Sequence, residues 1–234
     1  MAIEIDSDSD MGADIATGTG TDPVAGTETD AEAYEGRSFL FVLGSARVDG
    51  NTQILARAAA EQLPAGVPQR WVDLNGLALP DFQDGRHESD GWALSEHEEV
   101  LRQATMEATD IVLASPLYWY TMSAQTKRYL DYWSGWLAVP GLDFKRRMAG
   151  GTLWGVTAMA DHEEVVADGL AATLNNTAAY LRMRFGGVLL GNGSRPGQVR
   201  DDERAMVRAK TFFQQDAPLA LFPHEEAAGS PSAA

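Results

Sequence analysis

Five short apolar runs recur along this chain, and each is followed by a stretch whose apolar residues fall at helical spacing. The runs lie at 38–43, 69–73, 110–115, 151–158 and 185–190, and the spacing predicts helices over 52–63, 95–107, 123–136, 161–182 and 201–214. In the first run Phe39, Leu40, Phe41, Val42 and Leu43 are apolar without alternation, as in a parallel strand covered on both faces. The connections are too long for hairpins. Strands alternating with helices in this way predict a doubly wound five-stranded parallel sheet in three layers, α/β/α. Ligands of such sheets sit beyond the carboxyl ends of the strands, where the strand order reverses. The loops after strands one, three and four are therefore expected to line one crevice.

Local signals sharpen the elements. Ser95-Glu96-His97-Glu98 reads as a capping box. Asp161 is expected to open the fourth helix, with Glu164 completing its cap and Val165, Leu170, Leu174 and Leu181 facing inward. The polar, glycine-bearing stretch 83–91 is expected to be a long surface loop.

The turn from the first strand into the first helix reads Gly44-Ser45-Ala46-Arg47-Val48-Asp49-Gly50-Asn51-Thr52. The first N–H groups of a helix have no internal partner and face whatever fills the turn before it, so this unit suits a phosphate. Gly44 and Gly50 let the backbone approach a ligand closely. Ser45, Asn51 and Thr52 offer side-chain donors, and Arg47 adds a fork that matches phosphate oxygens. A dianion there gains roughly 0.3–2 kcal/mol from the helix dipole and about 1.5–3 kcal/mol from each hydrogen bond to its charge. The plainer reading is an ordinary strand-to-helix turn with Asn51 or Thr52 as N-cap. Asn51 stands where a Walker loop needs Lys, and the glycine spacing does not fit a dinucleotide fingerprint. The absence of cysteine excludes a cysteine-dependent phosphatase loop, disulfides and cysteine-held metal or iron–sulfur sites.

Residues 1–35 contain ten acidic residues, no Lys or Arg, and one aromatic, Tyr34. Such a stretch cannot bury enough apolar surface to offset the entropy of ordering. The expected organisation is a disordered acidic tail at 1–36, one domain at 37–223 and a second disordered tail at 224–234. A net charge of −16 argues against nucleic acid, whose binding draws on neutralised phosphates. With no secretory signal and no apolar run long enough to span a membrane, the chain is expected to be soluble and cytoplasmic. His87, His97 and His224 are scattered, His162 reads as a solvated histidine in a helix's first turn, and no metal-ligand spacing occurs.

The third strand runs into Pro116-Leu117-Tyr118-Trp119-Tyr120. Three large rings in a row at a strand's carboxyl end exceed what a core accommodates there. They can form a stacking wall for a planar heteroaromatic ligand, at about 0.5–1.5 kcal/mol per ring pair beyond burial. They can equally pack against a second subunit, and Tyr129, Trp133 and Trp136 on the next helix also read as interface residues.

Gly44-Ser45-Ala46-Arg47 with Gly50-Asn51-Thr52, and Ser115-Pro116-Leu117-Tyr118-Trp119-Tyr120-Thr121-Met122-Ser123-Ala124-Gln125 with Lys127, Leu130 and Asp131, resemble the NAD(P)H-dependent FMN reductase family of the flavodoxin-like fold. The likeness spans roughly residues 37–190. It implies that Ser45, Arg47, Asn51 and Thr52 hold the FMN phosphate, and that Pro116, Leu117, Tyr118, Trp119 and Tyr120 hold the isoalloxazine ring, largely through backbone groups. Met159-Ala160-Asp161-His162 would close the other side. The implied reaction is ping-pong: a nicotinamide reduces the flavin, which then reduces a quinone, flavin, azo or nitro compound at the same place. No catalytic acid or base is implied, because the cofactor carries the chemistry. The resemblance also implies a homodimer or homotetramer. A flavodoxin-type electron carrier serving a protein partner, and a phosphate-binding module without redox chemistry, remain alternatives.

Overall fold

The computed structural model describes residues 33–85 and 94–224. Five strands, β1 Phe39–Leu43, β2 Gln69–Asp73, β3 Asp110–Ala114, β4 Thr152–Met159 and β5 Arg184–Asn192, form one all-parallel sheet in the order β2-β1-β3-β4-β5. This is the expected α/β fold of flavodoxin type. Six α-helices accompany it among the described residues: α1 Asn51–Ala60, α2 Glu96–Glu107, α3 Ala124–Ala138, α4 Phe144–Met148, α5 Asp168–Leu181 and α6 Glu203–Ala209.

Side chains alternate across a strand, so β1 feeds two cores at once. Leu40 and Val42 join Leu101, Tyr129, Trp136, Leu153, Leu170 and Leu174 on one side. Phe39, Phe41 and Leu43 join Leu55, Ala59, Trp154, Phe212 and Phe213 on the other. Every residue of β1, β3 and β4 is buried, which is why those runs are apolar without alternation. The edge strand β2 is exposed or half-buried throughout, and it carries Gln69 and Arg70.

Several expectations shift. Asp161 does not open a helix: its Oδ1 accepts from Glu163 N at 2.9 Å, closing a turn. A 3₁₀ segment, Glu164–Ala167, follows, and α5 starts only at Asp168, so Val165 is exposed while Leu170, Leu174 and Leu181 are buried as expected. Neither Asn51 nor Thr52 caps α1; Gly50 occupies that position. Ser95 does cap α2 by accepting from Glu98 N at 3.1 Å. The last helix is short, because the chain turns at Thr211 into the 3₁₀ segment Phe212–Gln214 and drives two phenyl rings into the core. The loop expected at 83–91 falls largely outside the described residues.

The aromatic stripe of α3 is interior rather than interface. Tyr129, Trp133 and Trp136 are buried within the chain, where they meet one another, Tyr132 and Phe144. Burial raises the Tyr129 hydroxyl well above its ordinary range, and burial followed by the charge of Glu98 raises that of Tyr132. Tyr34, placed with the tail by composition, is also part of the core: it is buried against Phe39 beneath the Arg37 guanidinium.

Candidate functional site

The strand order reverses between β1 and β3, and the loops leaving their carboxyl ends diverge from that line. Gly44 continues the pairing, its N–H donating to Ala114 O at 2.9 Å. A Cβ at Gly44 would lie 1.9 Å from Thr126 Oγ1, so only glycine lets the loop pass the start of α3. There Ser123, the N-cap of α3, donates its hydroxyl to Gly44 O at 2.6 Å. From the other side Asn75 Nδ2 donates to Ser45 O. Ser45 Oγ accepts from Arg47 N at 3.1 Å, which curls the loop inward before Gly50 starts α1.

No side chain caps α1, and its first backbone bond runs from Ile54 N to Gly50 O at 3.0 Å. The helix therefore presents its positive end, uncapped, to the crevice. Thr52 is buried and its Oγ1 accepts from Ala158 N at 3.2 Å, joining α1 to β4. Asn51 Nδ2 donates to Gly193 O and Arg195 O, both at 2.9 Å, tying α1 to the turn after β5.

After β3, Ser115 Oγ accepts from Ser123 N at 2.8 Å. Tyr118 and Thr121 then exchange two backbone bonds, of 2.9 and 3.1 Å, across Trp119 and Tyr120. Both of those residues have positive φ, 49° and 66°. Two such residues between bridged neighbours are the pattern of a type I′ turn, which normally takes Asn-Gly. The turn is held from below, since a Cβ on Gly169 in the first turn of α5 would stand 2.9 Å from Tyr120 O.

The two loops meet across one cavity of about 200 Å³. Ser45, Arg47, Asn51 and Thr52 line it from the first loop, and Pro116, Leu117 and Tyr118 from the second. Trp119 and Tyr120 do not; they are 92% and 65% exposed and project from the tip of the turn. Met159 and Ala160 line the cavity, whereas His162 belongs to a larger one of about 560 Å³ beyond the edge of β5. None of the nine candidate residues lines that larger cavity, and its Glu164 is ion-paired with Arg204 and Arg208. Sequence reasoning missed Gly193 and Ser194, which also line the smaller cavity. The signal available for them was the turn-rich Asn192-Gly193-Ser194-Arg195-Pro196-Gly197.

The sequence model of the NADPH-dependent FMN reductases matches residues 38–183. The chain belongs to this family. It is 25% identical over 174 residues to YwqN of Bacillus subtilis strain 168, described as an NAD(P)H-dependent FMN-containing oxidoreductase; the match covers 74% of this chain and 94% of that one. Among solved structures, the Trp repressor binding protein of Bacillus subtilis superposes with a TM-score of 0.60 at 21% identity, over 76% of this chain and 99% of its own. An NAD(P)H:quinone oxidoreductase from Methanothermobacter marburgensis does so with a TM-score of 0.57 at 14% identity, over 74% and 95%.

Membership makes the protein an NAD(P)H-dependent oxidoreductase that uses FMN. The cradle suits that cofactor: the uncapped helix end at Gly50, Ser45 and the exposed Arg47 line one cavity. Among the described residues no group of His, Asp and Glu is placed to hold a metal ion, and no helix is long and apolar enough to cross a membrane.

Proposed function

We propose that this FMN reductase works by a ping-pong cycle in which NAD(P)H reduces the flavin and a quinone-class acceptor, or a flavin, azo or nitro compound, reoxidises it at the same place. The observation that carries the reading is the shared cavity, which has Ser45 on one lip and Tyr118 on the other. In this reading Ser45, Arg47, Asn51 and Thr52 hold the phosphate end, with the N–H groups of α1 supplying much of the attraction. Pro116, Leu117 and Tyr118 meet the ring, and Trp119 and Tyr120 stand beside it at the rim.

Ligand pockets commonly measure about 300–1,000 Å³, so a cavity of about 200 Å³ suits the phosphate and ribityl end, with the ring at its mouth against Pro116, Leu117 and Tyr118 and one face open to solvent. An open ring can be reached by a nicotinamide and then by an acceptor in turn. When bound, FMN supplies hydride transfer between the two, and the chain supplies grip and orientation. Dependence on NAD(P)H goes with a cytoplasmic location, and the exposed Trp119 and Tyr120 go with assembly into a homodimer or homotetramer.

The test is anaerobic stopped-flow mixing of FMN-loaded protein with NADPH and with NADH, followed by mixing of the reduced protein with a soluble quinone. Flavin bleaching in the first step, recovery in the second, and parallel initial-velocity lines are expected. Failure of both nucleotides to bleach the flavin would move the protein to the electron-carrier reading, and intersecting lines would reject ping-pong.

A further inference from the structure

Asn51 stands in the phosphate loop, yet its carboxamide is fully engaged. Its two hydrogens go to Gly193 O and Arg195 O, and its Oδ1 accepts from Val199 N at 3.4 Å. A carboxamide has two donors, so the side chain has none left for a phosphate. These bonds instead bring the turn after β5 onto the first turn of α1, across more than 140 residues of sequence.

That turn is packed to its limit. Gly193 N donates to Met159 O at 2.9 Å, and a Cβ on Gly193 would lie 2.8 Å from Val199 N and 3.0 Å from Asn51 Nδ2. Gln198 Oε1 accepts from Ser194 N at 3.0 Å and Arg195 N at 3.1 Å, which occupies both of those backbone donors. The Ser194 hydroxyl donates to the same oxygen at 3.4 Å, a long third bond to an acceptor already shared. It lines the cavity together with Ser45 and Arg47, where that long bond can be exchanged for one to a phosphate oxygen. Nothing in the family match points to it, because that match ends at residue 183, before β5 begins.

We propose that Ser194 is a ligand of the FMN phosphate and that Asn51 is the positioning residue that holds it in place. The inference rests on the FMN reading and assigns the phosphate a third wall, contributed by the turn after β5. Asn51 then serves the site through its backbone N–H and through Ser194, with its side chain never touching the cofactor.

The experiment titrates apoprotein with FMN and with riboflavin, following the change in flavin fluorescence. A hydroxyl bonded to the phosphate charge is worth about tenfold or more in affinity, so Ser194→Ala is expected to weaken FMN by that factor and leave riboflavin unchanged. Asn51→Ala is expected to do the same, and the double variant to bind FMN no more weakly than Asn51→Ala alone. Parent-like FMN affinity in Ser194→Ala overturns the ligand assignment. Additive losses in the double variant, or equal losses for both flavins in Asn51→Ala, overturn the positioning role. Should Asn51→Ala fail to fold, the ratio of FMN to riboflavin affinity in Ser194→Ala, a change at an exposed residue, decides the assignment by itself. A parent protein that binds neither flavin would reject the FMN reading itself, and the proposal with it.

Discussion

Asp110 begins β3 and is buried, a poor place for a lone carboxylate. It is not alone. Oδ1 accepts from Arg37 Nη2 at 2.6 Å and Trp154 Nε1 at 2.9 Å, and Oδ2 accepts from Arg37 Nε at 3.1 Å and Thr109 Oγ1 at 2.8 Å. The fork of Arg37 fits the carboxylate with two parallel bonds. Asp110→Ala would strand the guanidinium and the indole N–H together, so a loss of about 3–5 kcal/mol is expected in urea unfolding. FMN affinity should not change, because Asp110 lies at the amino end of its strand and the cavity at the carboxyl end. A loss under 1 kcal/mol, on the order of an exposed ion pair, would show that the cluster is readily rehydrated.

At the level of elements, the Trp119–Tyr120 turn sets stability against its proposed use. Large side chains at positive φ cost about 1–3 kcal/mol each, and here both are also exposed to solvent. Replacing them with the favoured pair, Trp119→Asn with Tyr120→Gly, is expected to raise the melting temperature while slowing quinone reduction by FMN-loaded protein. An unchanged or lower melting temperature would mean that the rings repay their strain within the monomer. The elements differ in how far the sequence reveals them. Strands β1, β3 and β4 were legible because they must be apolar on both faces. The turn after β1 was legible because a glycine approach and hydroxyl donors are local chemistry. The stripe of α3 was not, since an apolar face reads the same whether it meets its own sheet or another subunit, and Phe144 decided the matter from a helix unseen in the sequence. Asp161 misled because one side chain can close a turn or cap a helix. The target of Asn51, a turn far along the chain, leaves no local trace.

For the whole molecule, the limits of the folded body are set by contacts rather than composition. Truncation of residues 1–32, part of a stretch that holds ten of the chain's acidic residues, is expected to leave the melting temperature nearly unchanged in a thermal-shift assay. Extending the cut through Arg37 should lower it sharply, because the Tyr34 ring and the partner of Asp110 leave together. Equal melting temperatures for the two truncations would place both residues outside the stabilising body. The cross-ties around the crevice have a consequence at this scale too. Ser123 to Gly44, Asn75 to Ser45, Ala158 to Thr52 and Asn51 to the turn after β5 fasten each wall to another wall. A vessel braced in this way keeps its outline when emptied, so on the proposed reading a cofactor departs and returns without rebuilding its berth.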